Sequence, residues 1–263
     1  MDSRLSRRQV IGGLAIGAAG TSMLAATTSA EESSGPAGSP APNAQPPGAC
    51  KLLPQAVEGP YYFDPALVRS DITEGRPGLP LQLVLRVIET GPCTPIGNAR
   101  VDIWHADAGG IYSGYDRQGD NRDTSTKGLR YLRGTQMTDA DGHVVFHTIY
   151  PGWYPGRTPH IHVKVFLDEK TLLTGQIYFP DELSARVYRD REPYEQRPTP
   201  DTTNETDGIF KGGQREGGGT VLAIKEEPDL IVASLLVGVD RTGEAANQPA
   251  VFRGLLRGIF GGP

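Results

Sequence analysis

From Cys50 onward the chain is a succession of short apolar runs separated by polar punctuation. Leu81 to Thr90, Arg100 to Ala106, His143 to Ile149, His160 to Leu167, Leu172 to Phe179, Thr220 to Glu226 and Leu230 to Val239 each have strand length and β-branched content. Turn formers stand between them, at Gly91-Pro92, Asp107 to Gly110, Asp139 to Gly142 and Pro151-Gly152. The pattern predicts an all-β fold, a two-sheet β-sandwich with long irregular loops and little helix. Pro180 to Gly219 is long, polar and rich in Arg, Asp, Glu and Pro, which predicts an irregular excursion of the kind that serves as a lid or an oligomer contact. Near the end, Val251, Phe252, Leu255, Leu256, Ile259 and Phe260 recur at helical spacing and predict a short helix packed on the domain.

Composition agrees with this pattern. With 34 Gly, 22 Pro and 37% hydrophobic residues in 263, many short strands and turns are favoured over long helices. The formal net charge of -5 gives no footprint for phosphate backbones or anionic membranes, so a nucleic-acid partner is not expected.

The first fifty residues differ in character. Ser6-Arg7-Arg8-Gln9-Val10-Ile11 precedes an apolar Gly/Ala-rich run from Gly12 to Ala26, which reads as a twin-arginine export signal over residues 1–30. The competing reading is a membrane anchor, but the run is shorter than the ~20 residues needed to span a bilayer. Residues 31–49 are almost wholly Ser, Gly, Pro, Ala, Asn, Gln and Glu and read as a linker that cannot bury enough apolar surface to fold. The expected organisation is therefore signal, linker, one folded domain over 50–245 and a tail over 246–263, exported by the twin-arginine machinery to the periplasm or beyond, without a stable membrane anchor. That route carries folded proteins, which suits a metalloenzyme. The two cysteines, Cys50 and Cys93, lie in the exported portion, where a disulfide is expected and two free thiols are the alternative.

Candidate chemistry centres on Pro159-His160-Ile161-His162-Val163-Lys164-Val165. On a strand, residues two apart face the same way, so His160 and His162 can grip one metal ion together. A bare His-x-His can equally be a hydrogen-bonded pair. The preceding Tyr150-Pro151-Gly152-Trp153-Tyr154-Pro155-Gly156-Arg157-Thr158-Pro159 holds aromatic groups in a tight loop that runs into the strand.

Pro-Gly-x-Tyr-Pro followed by Arg-x-x-His-x-His resembles the iron site of the intradiol ring-cleavage dioxygenases, the family of catechol 1,2-dioxygenases and protocatechuate 3,4-dioxygenases. Upstream, Asp102-Ile103-Trp104-His105 followed by Gly110-Ile111-Tyr112-Ser113 is similar to a second stretch of that family, and Glu58-Gly59-Pro60-Tyr61 to a third, all in the family's order. The resemblance implies one Fe(III) per chain, held by Tyr112, Tyr154, His160 and His162. Phenolate suits a trivalent iron, and two phenolates with two neutral imidazoles leave the ion one net charge. Tyr115, Tyr61 and Tyr62 are neighbours that could be confused with Tyr112. The resemblance further implies that Tyr154 doubles as a base, that Arg157 stabilises negative charge developing on the diol, and that Gln176 lines the pocket. The implied reaction is intradiol cleavage of a catechol-type diol by O2 to a cis,cis-muconate-type diacid. His105, His143 and His147 are expected to be structural or surface residues.

Two departures from the family bear on substrate and assembly. A Pro-rich linker stands where catechol 1,2-dioxygenases carry a helical dimerisation segment, so that dimer mode is not expected and another homo-oligomer is left open. The interval from Tyr154 to His160 is short, which implies a more open pocket and admits larger diols. Two rival readings share the pattern, a non-catalytic secreted β-sandwich binding module and a zinc-dependent secreted hydrolase built on the histidine pair.

Overall fold

The computed structural model describes residues 50–64 and 66–247. The expected signal, the linker and the apolar cluster of the tail lie outside the described residues.

The strands are β1 (Pro80–Glu89), β2 (Thr94–Pro95), β3 (Arg100–Trp104), β4 (Arg133–Met137), β5 (His143–Ile149), β6 (His160–Leu167), β7 (Lys170–Tyr178), β8 (Ala223–Glu227) and β9 (Leu230–Val239). They form two sheets. In the first, β1 pairs with β9 in parallel and with β5 and β2 antiparallel, while β8 closes the edge against β9. The second is antiparallel in the order β4-β3-β6-β7. This is the expected sandwich with little helix.

Alternation along the strands decides what each face does. Leu81, Leu83, Leu85 and Val87 of β1 point inward and are essentially unexposed, packing in one core with Val101 and Ile103 of β3, Ile161, Val163 and Val165 of β6, and Leu173 and Ile177 of β7. In the second sheet the intervening residues therefore face away from the core. Trp104, His162 and Gln176 are cross-strand partners in one row, and His160 pairs with Tyr178 in the next. That outer face carries the candidate chemistry and is itself buried, because the loops fold over it.

Two expectations are corrected. The excursion from Pro180 to Gly219 is not irregular throughout: it holds α1 (Asp181–Asp190), a 3-10 turn (Tyr194–Gln196) and α2 (Gly208–Arg215). In α1 the buried residues Leu183, Ser184, Val187 and Tyr188 follow helical spacing, and the intervening charged residues hide that period. The Arg-Gly-Thr-Gln-Met sequence of strand β4 lacks an apolar signal and predicts no strand, yet Arg133 to Thr135 are buried through polar partners. A short helix, α3 (Glu244–Asn247), ends the described chain. Cys50 and Cys93 form the disulfide expected from the sequence, with a Cα–Cα distance of 5.6 Å.

Candidate active site

His160 and His162 stand on the outer face of β6, each 3% exposed. His160 Nδ1 lies 2.7 Å from the Thr158 carbonyl oxygen. A carbonyl only accepts, so Nδ1 donates and Nε2 presents a bare lone pair. That atom is 3.3 Å from His162 Nε2. The His162 ring is held by stacking on Trp104 at 4.6 Å and 10°, while its Nδ1 is buried with no hydrogen-bond partner among the described residues. Burial, reinforced by the Arg157 charge, pushes both imidazoles well below 6.5 and keeps them neutral.

The two tyrosines reach the same point from different loops. Tyr154 Oη is 3.2 Å from His160 Nε2, and Tyr112 Oη is 3.5 Å from it. The Tyr112 loop follows β3 and is shaped by Asp107, whose Oδ1 accepts from the amides of Gly109 and Ile111 at 3.0 Å each. Gly110, at φ 81°, lets this loop touch the other one: a Cβ there would sit 2.1 Å from the Trp153 carbonyl oxygen. The Tyr154 loop closes through the Arg157 amide donating to the Tyr154 carbonyl at 3.1 Å. Burial raises the pKa of Tyr154 and lifts Tyr112 well above 10, its neighbour Tyr154 adding to the effect. Without a cation both phenols stay protonated; a cation among the four donors reverses that preference.

Arg157 closes the cluster. Its Nη1 is 3.3 Å from Tyr154 Oη and 3.4 Å from His160 Nε2, its Nη2 donates to Gln176 Oε1, and its Nε donates to Asp207 Oδ2 at 2.8 Å. Gln176, 1% exposed, is fixed by donating to the Val57 carbonyl at 3.0 Å and accepting from Tyr178 Oη at 3.1 Å.

All six residues expected from the sequence are therefore brought together, four donors converging and Arg157 and Gln176 beside them. The other histidines are elsewhere: His105 is fully buried and satisfied by Ala106 O and Thr148 Oγ1, and His143 lies by Asp139. Tyr115 donates to the Tyr62 carbonyl, and Tyr62 donates to Asp102. Tyr61 stacks on Tyr112 at 4.8 Å. An open cleft of ≈ 210 Å³ is lined by Tyr61, Tyr112, Gln118, Arg122 and Tyr154.

Supporting residues were missed by sequence reasoning. Buried Arg133 donates to Ser113 Oγ, Ser113 O and Tyr61 O, bracketing Tyr112. Burial pulls its pKa down to about 10. Arg197 joins the two tyrosine loops by bonding Gly109 O, Trp153 O and Asp120. Asp207 could have been found as an N-cap ahead of a helix, although nothing in the sequence ties it to Arg157.

Among the described residues no three His, Cys, Asp or Glu side chains converge as a metal site, which leaves the zinc-hydrolase reading without its carboxylate. The donors that do converge are two neutral imidazole nitrogens and two phenol oxygens, a set suited to a hard trivalent ion.

Comparison with known proteins agrees. Residues 57–187 match the family model described as Dioxygenase. An intradiol ring-cleavage dioxygenase structure from Tetranychus urticae is 34% identical, covering 73% of this chain and 95% of that one with a TM-score of 0.65. Protocatechuate 3,4-dioxygenase beta chain of Burkholderia cepacia is 34% identical over 133 residues, 47% of this chain and 54% of that protein. Catechol 1,2-dioxygenase 1 of Acinetobacter lwoffii is 31% identical over 147 residues, 47% of this chain and 45% of that protein. The chain thus spans about half the length of these two curated relatives. On the motifs, the fold and these similarities together, the chain belongs to the intradiol ring-cleavage dioxygenase family.

Proposed function

We propose that this chain cleaves the ring of a catechol-type diol between its two hydroxyl-bearing carbons, using O2 and one Fe(III) held by Tyr112, Tyr154, His160 and His162. The observation that carries the reading is the convergence of both phenol oxygens and His162 Nε2 within 3.2–3.5 Å of His160 Nε2. When bound, Fe(III) supplies the Lewis acidity that makes a chelated diol reactive toward O2 and holds the two tyrosines ionised.

The remaining work falls to the chain. Tyr154 is suited to receive a proton from the incoming diol, because it lines the cleft and its burial favours the protonated phenol. Arg157 offers a fixed guanidinium toward the negative charge that develops on the substrate, and Gln176 Oε1 accepts from its Nη2 and helps hold it. Tyr61 and Tyr112 form an aromatic wall along which a planar ring can lie. The product of such a cleavage is a cis,cis-muconate-type diacid.

The proposal extends to location. The Arg7-Arg8 segment and the Cys50–Cys93 disulfide support export by the twin-arginine route to an oxidising compartment. Cell fractionation checks this: Arg7→Lys/Arg8→Lys chains are expected to stay in the cytoplasm, and unimpaired export of that variant overturns it.

Metal analysis and oxygen uptake test the enzymatic reading. Purified protein is expected to hold about one iron per chain, to be coloured by tyrosinate-to-iron charge transfer, and to consume O2 with catechols. Colourless protein with zinc and no oxygen uptake overturns the reading.

A further inference from the structure

Asp207 lies in the excursion between Pro180 and Gly219, and its carboxylate is completely enclosed. Its two oxygens do different things. Oδ1 accepts from the amides of Ile209 and Phe210 at 2.8 and 3.0 Å and caps α2. Oδ2 accepts from Arg157 Nε at 2.8 Å and from the Thr158 amide at 3.1 Å. Thr158 is tied down again by its hydroxyl, which donates to Asn204 Oδ1 at 3.0 Å, and its carbonyl is the acceptor that fixes the His160 ring.

We propose that Asp207 is a positioning residue of the active site, which locks the Arg157 guanidinium toward Tyr154 and the Thr158 carbonyl toward His160, and so makes the seating of α2 a determinant of turnover. An arginine stem has many rotamers, and a charge-assisted bond to Nε selects one while leaving both terminal nitrogens free to serve the site. Here those nitrogens face Tyr154 Oη, His160 Nε2 and Gln176 Oε1. The same carboxylate holds the backbone one residue further on, so one anion orients an arginine and the start of the ligand-bearing strand. Removing its charge leaves Arg157, whose side chain is 15% exposed, without its ion-pair partner and free to swing. Asn keeps a side-chain oxygen for the helix cap and is as good a cap as Asp, so it separates the two jobs.

The kinetic arm rests on the ring-cleavage reading; the second arm does not. In the iron-loaded full chain, Asp207→Asn is expected to lower kcat about tenfold to hundredfold, the range for partners that orient a metal site from behind, with KM changed less than about threefold. In an Arg157→Lys background the same change is expected to cost clearly less than in wild type, because the guanidinium, one of the two groups through which Asp207 acts, is already gone. Multiplicative losses in the double variant, or a kcat for Asp207→Asn within about twofold of wild type, overturn the proposal. By NMR of the full wild-type chain freed of paramagnetic iron, Arg157 Nε–H is expected to exchange far more slowly with solvent than a surface arginine. Surface-like exchange overturns the proposal with no variant required. Wild type that takes up no oxygen with any diol refutes the ring-cleavage reading, and the exchange measurement then decides the role of Asp207 in holding Arg157.

Discussion

His160 and His162 point their Nε2 atoms at each other across 3.3 Å. His160 Nδ1 is committed to a carbonyl, and burial keeps both rings neutral. On the proposed reading the two imidazoles share a cation, and the two phenol oxygens beside them would supply the anionic half of its shell. This arrangement explains why a face of the second sheet that would otherwise meet solvent is covered by loops and lined with aromatic rings.

Removing one phenol at a time tests the oxygen half of that shell. Tyr112→Phe and Tyr154→Phe are each expected to weaken the visible charge-transfer band of iron-loaded protein and to lower turnover by at least about a hundredfold, the scale on which a positioned charged group contributes. Titration with iron followed by absorption spectroscopy checks this, and a band unaltered in both variants contradicts the ligand assignment.

Arg157 offers a planar fork that lysine cannot copy. Arg157→Lys keeps the charge yet loses the simultaneous contacts to Asp207, Gln176 and Tyr154. Steady-state kinetics are expected to show kcat reduced by about 10²–10³, as for loss of one preorganised donor, with iron content unchanged. Wild-type kcat in this variant removes Arg157 from the account.

The Cys50–Cys93 disulfide closes a sequence separation of 43 residues and ties the start of the domain beside β2. Loop-closure entropy for that span corresponds to about 4 kcal/mol. Cys50→Ser/Cys93→Ser is expected to lose stability of that order in denaturant unfolding. A loss below about 1 kcal/mol shows that the reduced chain is already constrained there.

His105 makes stability fall in acid. Burial lowers its pKa from 6.5 to about 4, so the unfolded chain takes up a proton that the folded chain refuses. Its contribution is present in full above about pH 6.5 and is lost progressively toward pH 4, up to about 3 kcal/mol. The drop in unfolding free energy from pH 7 to pH 4 is expected to be smaller in His105→Gln than in wild type by about that amount. Parallel curves contradict it.

Legibility in the sequence followed the range of the interactions. His160 and His162 were readable because strand alternation puts them on one face, and Tyr154 because glycines and prolines bracket it beside that strand. Tyr112, Arg157 and Gln176 had no periodic signal and came through the family motifs. Asp207 and Arg133 act across 50 and 72 residues on Arg157 and Tyr61, a distance at which one sequence carries no trace of pairing. Strand β4 was hidden because its burial is satisfied by hydrogen bonds such as Thr135 to Asp102 at 2.7 Å, so no apolar pattern marks it. In α1 the charges on the exposed face masked the stripe of Leu183, Val187 and Tyr188.

Product analysis after reaction with catechol under measured oxygen uptake is the most direct test of the central claim. The expected product is cis,cis-muconate, formed with one O2 consumed per diol, because the ring opens between the two hydroxyl-bearing carbons. A hydroxymuconic semialdehyde, the product of opening beside those carbons, would contradict it.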